Sequence, residues 1–372
     1  MRAELAALFD SQHGVATTAQ ILAVTSRRHL ETLLSCSAVE RIWHGVYNVG
    51  GRETDQLLRG LDLACGEALA ICLGTAAQAF GFDTENTTEL HVLNPSGGHQ
   101  MRPADGLVVH RRDGAPLTSL AERPATTAAW TAIEVARTLP RRRALATLDA
   151  ALRSRTCDPR ALQCAAAAQA GRRGIVKVRQ LLALADGRAE SPMESEARLV
   201  MIDGGLPTPV LQHEVIGARG RLRRLDFAWP EQWVAAEYDS DEWHAGADAL
   251  RRDREKLAEL QDLGWTVVPI VADDVRRRPQ VLVDRIGGHL GRARVACGCA
   301  NCTRMAACRR ADTHAREVGA AGTGSSPARG PDQRAGPRCL RGRPRCAPRR
   351  RPGRWRPGPR DPSRGGWWSP GG

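Results

Sequence analysis

The sequence predicts an α/β protein, α+β overall, on three observations. Short capped helices followed by an alternating hairpin open the chain. Ala- and Leu-rich helices with a few short β-runs fill its middle, and three β-runs, a helix, a fourth β-run and a last helix follow. Apolar spacing of three or four marks the helices and alternation marks the strands. The divisions fall at 1–52, 53–187 and 188–292, with a compositionally separate segment at 297–372.

The first helix is Ala3–Phe9, with Leu5, Leu8 and Phe9 on one face and Gly14 beyond its end. Thr17 or Thr18 caps a second helix through Val24, and Ser26 caps a third over Arg27–Leu34. Val39–Val49 alternates about His44-Gly45, as two strands and a tight turn do. Helix, helix, basic helix and hairpin is the order of a winged helix-turn-helix, which sets the start of its recognition helix against base edges. Ser26, Arg27, Arg28 and His29 would occupy that start, with Arg41 and His44 on the wing near phosphates, and double-stranded DNA is the expected partner. The plainer reading makes them solvated charges on a small helical domain.

A long helix is expected over Asp55–Phe80, then strands near Glu89–Leu93 and Leu107–His110 and helices over Thr126–Thr138 and Arg141–Arg153. Residues 156–187 continue as helix with Gly171 and Gly174 as interruptions. No catalytic constellation appears here, and His91 and His110 read as packed residues on strands.

The C-terminal region carries the chemistry. Ser191-Pro192 opens a helix that stops at Gly204-Gly205. Gln212–Ile216, Leu222–Ala228 and Trp233–Tyr238 are strands. Ala247–Leu263 is a helix closed by Gly264, Trp265–Val271 a fourth strand and Asp274–Leu290 a last helix. Strand period sets Glu237 and Asp239 on one face, and the Pro230-Glu231-Gln232 turn folds Asp226 back toward them. Three converging carboxylates repel one another unless a cation offsets their charge. Asp226, Glu237 and Asp239 are therefore expected to bind a divalent ion with oxygen ligands, Mg²⁺, which implies phosphoryl chemistry.

Composition narrows the alternatives. The net charge of +13 resides in residues 297–372, which hold 17 Arg, no Lys and 4 acids, so the remainder is balanced. That segment has two residues from Ile, Leu, Val and Phe against 10 Pro and 13 Gly, too few apolar groups for a core. It reads first as an out-of-frame extension of a GC-rich gene, and second as an Arg-rich nucleic-acid-binding tail. Cys297, Cys299, Cys302 and Cys308 lie there without a second paired knuckle or apolar surroundings, which argues against zinc. Cys36, Cys65, Cys72, Cys157 and Cys164 read as buried thiols in a reducing compartment. No organic cofactor is expected. The N-terminus lacks an apolar signal core, and Asp62, Glu67 and Gln78 interrupt the most apolar stretch, so a cytoplasmic protein with no membrane association is expected.

Residues 190–290 resemble the PD-(D/E)xK nuclease superfamily, most closely its Vsr-like domain. The likeness rests on Glu194-Ser195, Asp226-Phe227, Glu237-Tyr238-Asp239, His244, Arg252-Asp253-Arg254 with Lys256, and Gly264-Trp265-Thr266-Val267-Val268. It implies a restriction-endonuclease-like mixed sheet flanked by helices, and a DNA endonuclease activity. Asp226 and Glu237 would bind Mg²⁺, with Asp239 and Glu194 as further ligands, His244 as general base or acid, and Arg252 or Arg254 on a phosphate. Asp239 stands where the superfamily has lysine. Lys256, one of two lysines in the chain, is the candidate substitute. The first 155 residues look similar to the AbiEi-like antitoxin family, which implies a cognate toxin as partner. The alternative function is a non-catalytic, antitoxin-like transcriptional regulator with a degenerate nuclease fold.

Overall fold

The computed structural model describes residues 2–96, 101–111, 114–217, 220–239 and 247–296. His244 and all of 297–372 lie outside the described residues, and with them the six cysteines of that segment. The structure is mixed, with helices and several sheets.

Helices α1 (Ala3–Ser11), α2 (Thr18–Val24) and α3 (Arg27–Ser35) precede the hairpin β2 (Glu40–Trp43) and β3 (Val46–Asn48). A short strand not expected from the sequence, β1 (Val15–Thr17), pairs antiparallel with β3 and gives the sheet order β1-β3-β2. Thr17 caps α2, its Oγ1 accepting from the Gln20 N–H at 3.3 Å while its own N–H donates to Gln20 Oε1 at 2.9 Å. Leu5, Phe9, Ala16, Ile21, Leu30, Leu33 and Val39 form the core.

The expected helix over Asp55–Phe80 is two helices, α4 (Thr54–Cys65) and α5 (Leu73–Ala79). Gly66 ends α4 in a left-handed conformation (φ 73°), which glycine adopts without a Cβ clash. The apolar residues after it run extended instead of helical, because Ile71 bridges both Val92 and Ala125. It thereby joins the parallel pair β4 (Leu90–Leu93) and β5 (Leu107–His110) to the hairpin β6 (Leu117–Leu120) and β7 (Arg123–Thr126). That hairpin has no clear sequence signal: β6 is mostly exposed and has no alternating apolar face.

Four helices follow, α6 (Ala128–Thr138), α7 (Arg141–Arg153), α8 (Pro159–Ala168) and α9 (Ile175–Leu182), the last two separated where Gly171 and Gly174 stand. Helix α10 (Pro192–Asp203) is capped by Ser191, whose side chain accepts from the Glu194 N–H. It is buried on both sides: Leu199 joins the helical core, whereas Ala197, Val200 and Met201 join the core of the C-terminal sheet.

That sheet has the order β11-β10-β9-β8. Strands β8 (Val210–Ile216), β9 (Leu222–Trp229) and β10 (Val234–Tyr238) run antiparallel, with a single 3-10 turn at Pro230–Gln232 between β9 and β10. Strand β11 (Thr266–Ile270) lies parallel to β10, reached through α11 (Ala247–Asp262). The expected last helix is divided into α12 (Ala272–Arg276) and α13 (Pro279–Ala296) around Pro279, which suits a first helical position but not an interior one. Leu282, Val283, Ile286 and Leu290 of α13 pack on one face of the sheet beside α10. Leu260 of α11 packs with Leu225, Ala228 and Ala235.

The cysteine expectation is corrected in part. Cys72 is buried, Cys65 and Cys157 are half-buried, and Cys36 and Cys164 are exposed. Scatter among apolar residues did not reveal that the last two face outward. Among the described residues no helix is long and apolar enough to cross a membrane.

Two measurements test this packing. Arg198 and Asp149 form a buried ion pair at 2.7 Å, so Arg198→Met, which leaves Asp149 buried without its cation, is expected to cost about 3–5 kcal/mol in urea unfolding. Second, His91 Nδ1 meets His110 Nε2 at 2.9 Å. Burial pushes both imidazoles below their ordinary range, and His91 adds to the effect on His110. The unfolded histidines take up protons near ~6.5 while the folded ones resist, so stability present at neutral pH is lost as pH falls below that value. The urea midpoint should therefore drop between about pH 7 and 5, and the His91→Phe/His110→Phe variant should drop less. An identical pH slope in that variant would refute the assignment.

Candidate functional site

The register of β9 and β10 sets Ala236 opposite Phe227. Beyond those two, Asp226 and Glu237 are the next residues along the adjacent strands. The Tyr238 N–H donates to Asp226 Oδ2 at 2.9 Å. Helix α11 brings Lys256 to the pair, with its Nζ at 2.6 Å from Glu237 Oε1. The third acid does not join as closely. Asp239 is exposed just past the end of β10, its backbone N–H donating to the Ile270 carbonyl at 2.8 Å.

Glu194 enters from the first turn of α10. Its Oε2 accepts from the Glu190 N–H at 2.9 Å and from Gln212 Nε2 at 3.0 Å. Gln212, which the sequence did not single out, also hydrogen-bonds Asp226. It sits in the middle of β8 with φ 50°, and the pairing with β9 skips it, passing from Leu211↔Phe227 to His213↔Leu225. A non-glycine residue pays roughly 1–2 kcal/mol for that conformation, and here the turned backbone accompanies a side chain that links two carboxylates. No sequence signal distinguishes it from any polar residue on a half-exposed strand.

Burial pushes the Glu194 carboxyl above the usual carboxylate range, and the Asp226 charge adds to this against the Glu190 N–H. Burial likewise raises Asp226, while the Tyr238 N–H, the Lys256 ammonium and Gln212 pull it back. Glu190 is itself tied to Arg224 at 2.7 Å. Arg252 and Arg254 are exposed on α11. Among the described residues, no three His, Cys, Asp or Glu side chains are grouped closely enough to form a metal site as they stand. The donor types still suit a hard cation: Glu194 and Asp226, both destabilised as anions, share the Gln212 amide, and Glu237 faces the Lys256 ammonium.

At the other end of the chain, Ser26 Oγ accepts from the His29 N–H at 3.2 Å and caps α3. Arg27 and Arg28 are exposed in its first turn, whereas His29 is half-buried and its Nε2 is shielded from solvent. Arg41 and His44 meet at the hairpin, Nη2 to Nδ1 at 2.9 Å, and both are exposed. The cationic side chains of helix and hairpin are thus available to solvent, and the imidazole of His29 is the least available of the set.

Two proteins of Mycobacterium tuberculosis, one from each of two strains and each titled an uncharacterized protein, are 55% identical to this chain over 273 residues. The matched stretch is 73% of this chain and 99% of either relative. The chain belongs to the family of these mycobacterial proteins. Residues 69–184 also match the AbiEi antitoxin C-terminal domain. The match begins at the extended segment before α5 and ends beyond α9, so it supports the antitoxin likeness over residues 69–155 and extends it to residue 184, within the division expected at 53–187. It takes in neither the N-terminal helices and hairpin nor the C-terminal sheet.

The electrostatic coupling across the strands is open to measurement. Lys256→Met removes a charge that holds Asp226 down, so ¹³C NMR should show the Asp226 carboxyl titrating at higher pH. An unmoved titration would mean that the ammonium is not felt by that carboxyl.

Proposed function

We propose that this protein is a DNA-binding regulator of the antitoxin type whose C-terminal sheet carries a Mg²⁺-dependent, nuclease-like site. The antitoxin part is supported by the match at residues 69–184. The observation that carries the nuclease-like part is that Lys256, at 2.6 Å from Glu237, also acts on Asp226 of the adjacent strand, whose carboxylate accepts the Tyr238 N–H at 2.9 Å. Lys256 supplies from α11 the ammonium that Asp239 cannot supply at the position where the superfamily has lysine.

In this reading Asp226 and Glu237 hold the ion, with Glu194 beside them and Asp239 at the exposed margin. Magnesium, when bound, supplies a water of lowered pKa and positive charge for the phosphate. Gln212 keeps Glu194 and Asp226 together, and Lys256 orients Glu237. Arg252 and Arg254 engage backbone phosphates, and His244, outside the described residues, acts as general base or acid. Ser26, Arg27 and Arg28, with Arg41 and His44, dock duplex DNA, and a cognate toxin is the protein partner. The cytoplasm is the compartment proposed.

A second reading keeps the DNA binding and drops the cleavage. It is favoured by the spacing of the acids: among the described residues no three His, Cys, Asp or Glu side chains are grouped closely enough to hold a metal ion. Plasmid nicking with Mg²⁺ and with EDTA separates the two. Metal-dependent nicking that falls at least ~100-fold in Asp226→Asn and Glu237→Gln supports the nuclease. Mn²⁺ titration calorimetry on the same variants should show lost ion binding whether or not DNA is cut. Selective binding without nicking or ion uptake leaves the regulator. In either case Arg27→Ala/Arg28→Ala should weaken duplex binding and flatten its salt dependence, the log–log slope shrinking by about 0.9 for each phosphate no longer neutralised.

A further inference from the structure

The middle of the chain holds a recess that plays no part in the sites above. It lies between the C-terminal ends of β4 and β5 and helix α6, and encloses about 260 Å³. Its chemistry comes from Cys72, His110, Arg111, Glu134, Arg137 and Arg172. Three arginines against one glutamate leave the lining two charges positive, with the histidine neutral.

The cations are held in place before any ligand arrives. Arg137 donates through Nε to Gln169 Oε1 at 2.9 Å and through Nη1 to the Arg173 carbonyl at 2.8 Å. The Arg172 guanidinium lies over the Trp130 ring, 4.9 Å from its centroid. One oxygen, Glu134 Oε1, serves both, at 3.3 Å from Arg172 Nη1 and 3.9 Å from Arg137 Nη2. Burial makes Arg137 easier to deprotonate than usual; Glu134 opposes this and Arg172 adds to it more weakly. Arg111 is exposed. Fixed guanidiniums with shared compensation are the arrangement that planar, bidentate recognition of an oxyanion uses.

We propose that this recess binds a small phosphate-bearing ligand no larger than a nucleoside monophosphate. A phosphate monoester carries about two negative charges at neutral pH, which matches the lining's excess, whereas a single carboxylate matches half of it. The volume is below the ~300–1,000 Å³ of ordinary ligand pockets, which excludes a dinucleotide. Glu134 sets the affinity by competing with the ligand for Arg172 and Arg137.

Calorimetric titration of the full chain with orthophosphate and, separately, with adenosine monophosphate tests this. One site is expected. Affinity should fall about tenfold or more in Arg172→Gln and in Arg111→Gln, since each loses a charge-assisted hydrogen bond. Glu134→Gln should bind more tightly, a gain that a merely structural role for the glutamate does not produce. Arg111 is exposed, so its variant keeps the fold even if that of Arg172 does not. Tighter binding of the nucleotide identifies the sugar and base as part of the ligand; equal binding identifies the phosphate alone. If neither anion binds at millimolar concentration, or if all three variants bind as the parent does, the proposal is overturned.

Discussion

The structure turns on α10, a helix buried on both sides. Burying polar groups in such a helix is costly unless they are paired, and this one pairs most of those it carries, Arg198 Nε being left without a partner among the described residues. Arg198 gives one end of its guanidinium to Asp149 at 2.7 Å and the other to the Leu184 carbonyl at 2.7 Å. The second Asp149 oxygen accepts the Asp186 N–H at 2.8 Å. Glu196, itself buried, faces the half-exposed Arg276 at 3.1 Å and the partly exposed Arg143 at 3.7 Å, so α7, α10 and α12 are joined through one buried carboxylate. Such pairs add little net stability over an apolar packing of the same volume, but removing one partner leaves the other charge buried and uncompensated, which is costly.

That docking decides the geometry of the acid site. Glu194 is in the first turn of the same helix, and its place beside Gln212 and Asp226 follows from where α10 lies on the sheet. Lys256 arrives from α11, held down by Leu260 one turn later in the core with Leu225 and Ala235. Two helices and three strands therefore contribute to one small polar cluster. Its electrostatic cost is spread between burial, which raises Asp226 and Glu194, and the Lys256 ammonium, which opposes it.

Some of this was legible. Ser26, Ser191 and Gly204-Gly205 were readable as helix ends because capping depends on a few consecutive residues. The β9–turn–β10 pairing was readable because alternation and a proline-bearing turn are local as well. The helix expected over Asp55–Phe80 was not, because the pairing of Ile71 with Val92 and Ala125 outweighs local helical preference. Lys256 could be suspected for its rarity among arginines, but its contact with Glu237 required knowing how α11 lies on the sheet. Gln212 was invisible, since its role depends on a left-handed backbone in mid-strand.

The sequence by itself determined the fold class, most of the capped helices and the β9–turn–β10 pairing, because these follow from periodicity and turn chemistry within about fifteen residues. Only the tertiary structure decided that Asp239 stays exposed, that Lys256 and Gln212 complete the cluster, and that Arg137 and Arg172 share Glu134. These are contacts between segments far apart in the chain, set by packing and by the need to compensate buried charge, and no local pattern encodes them.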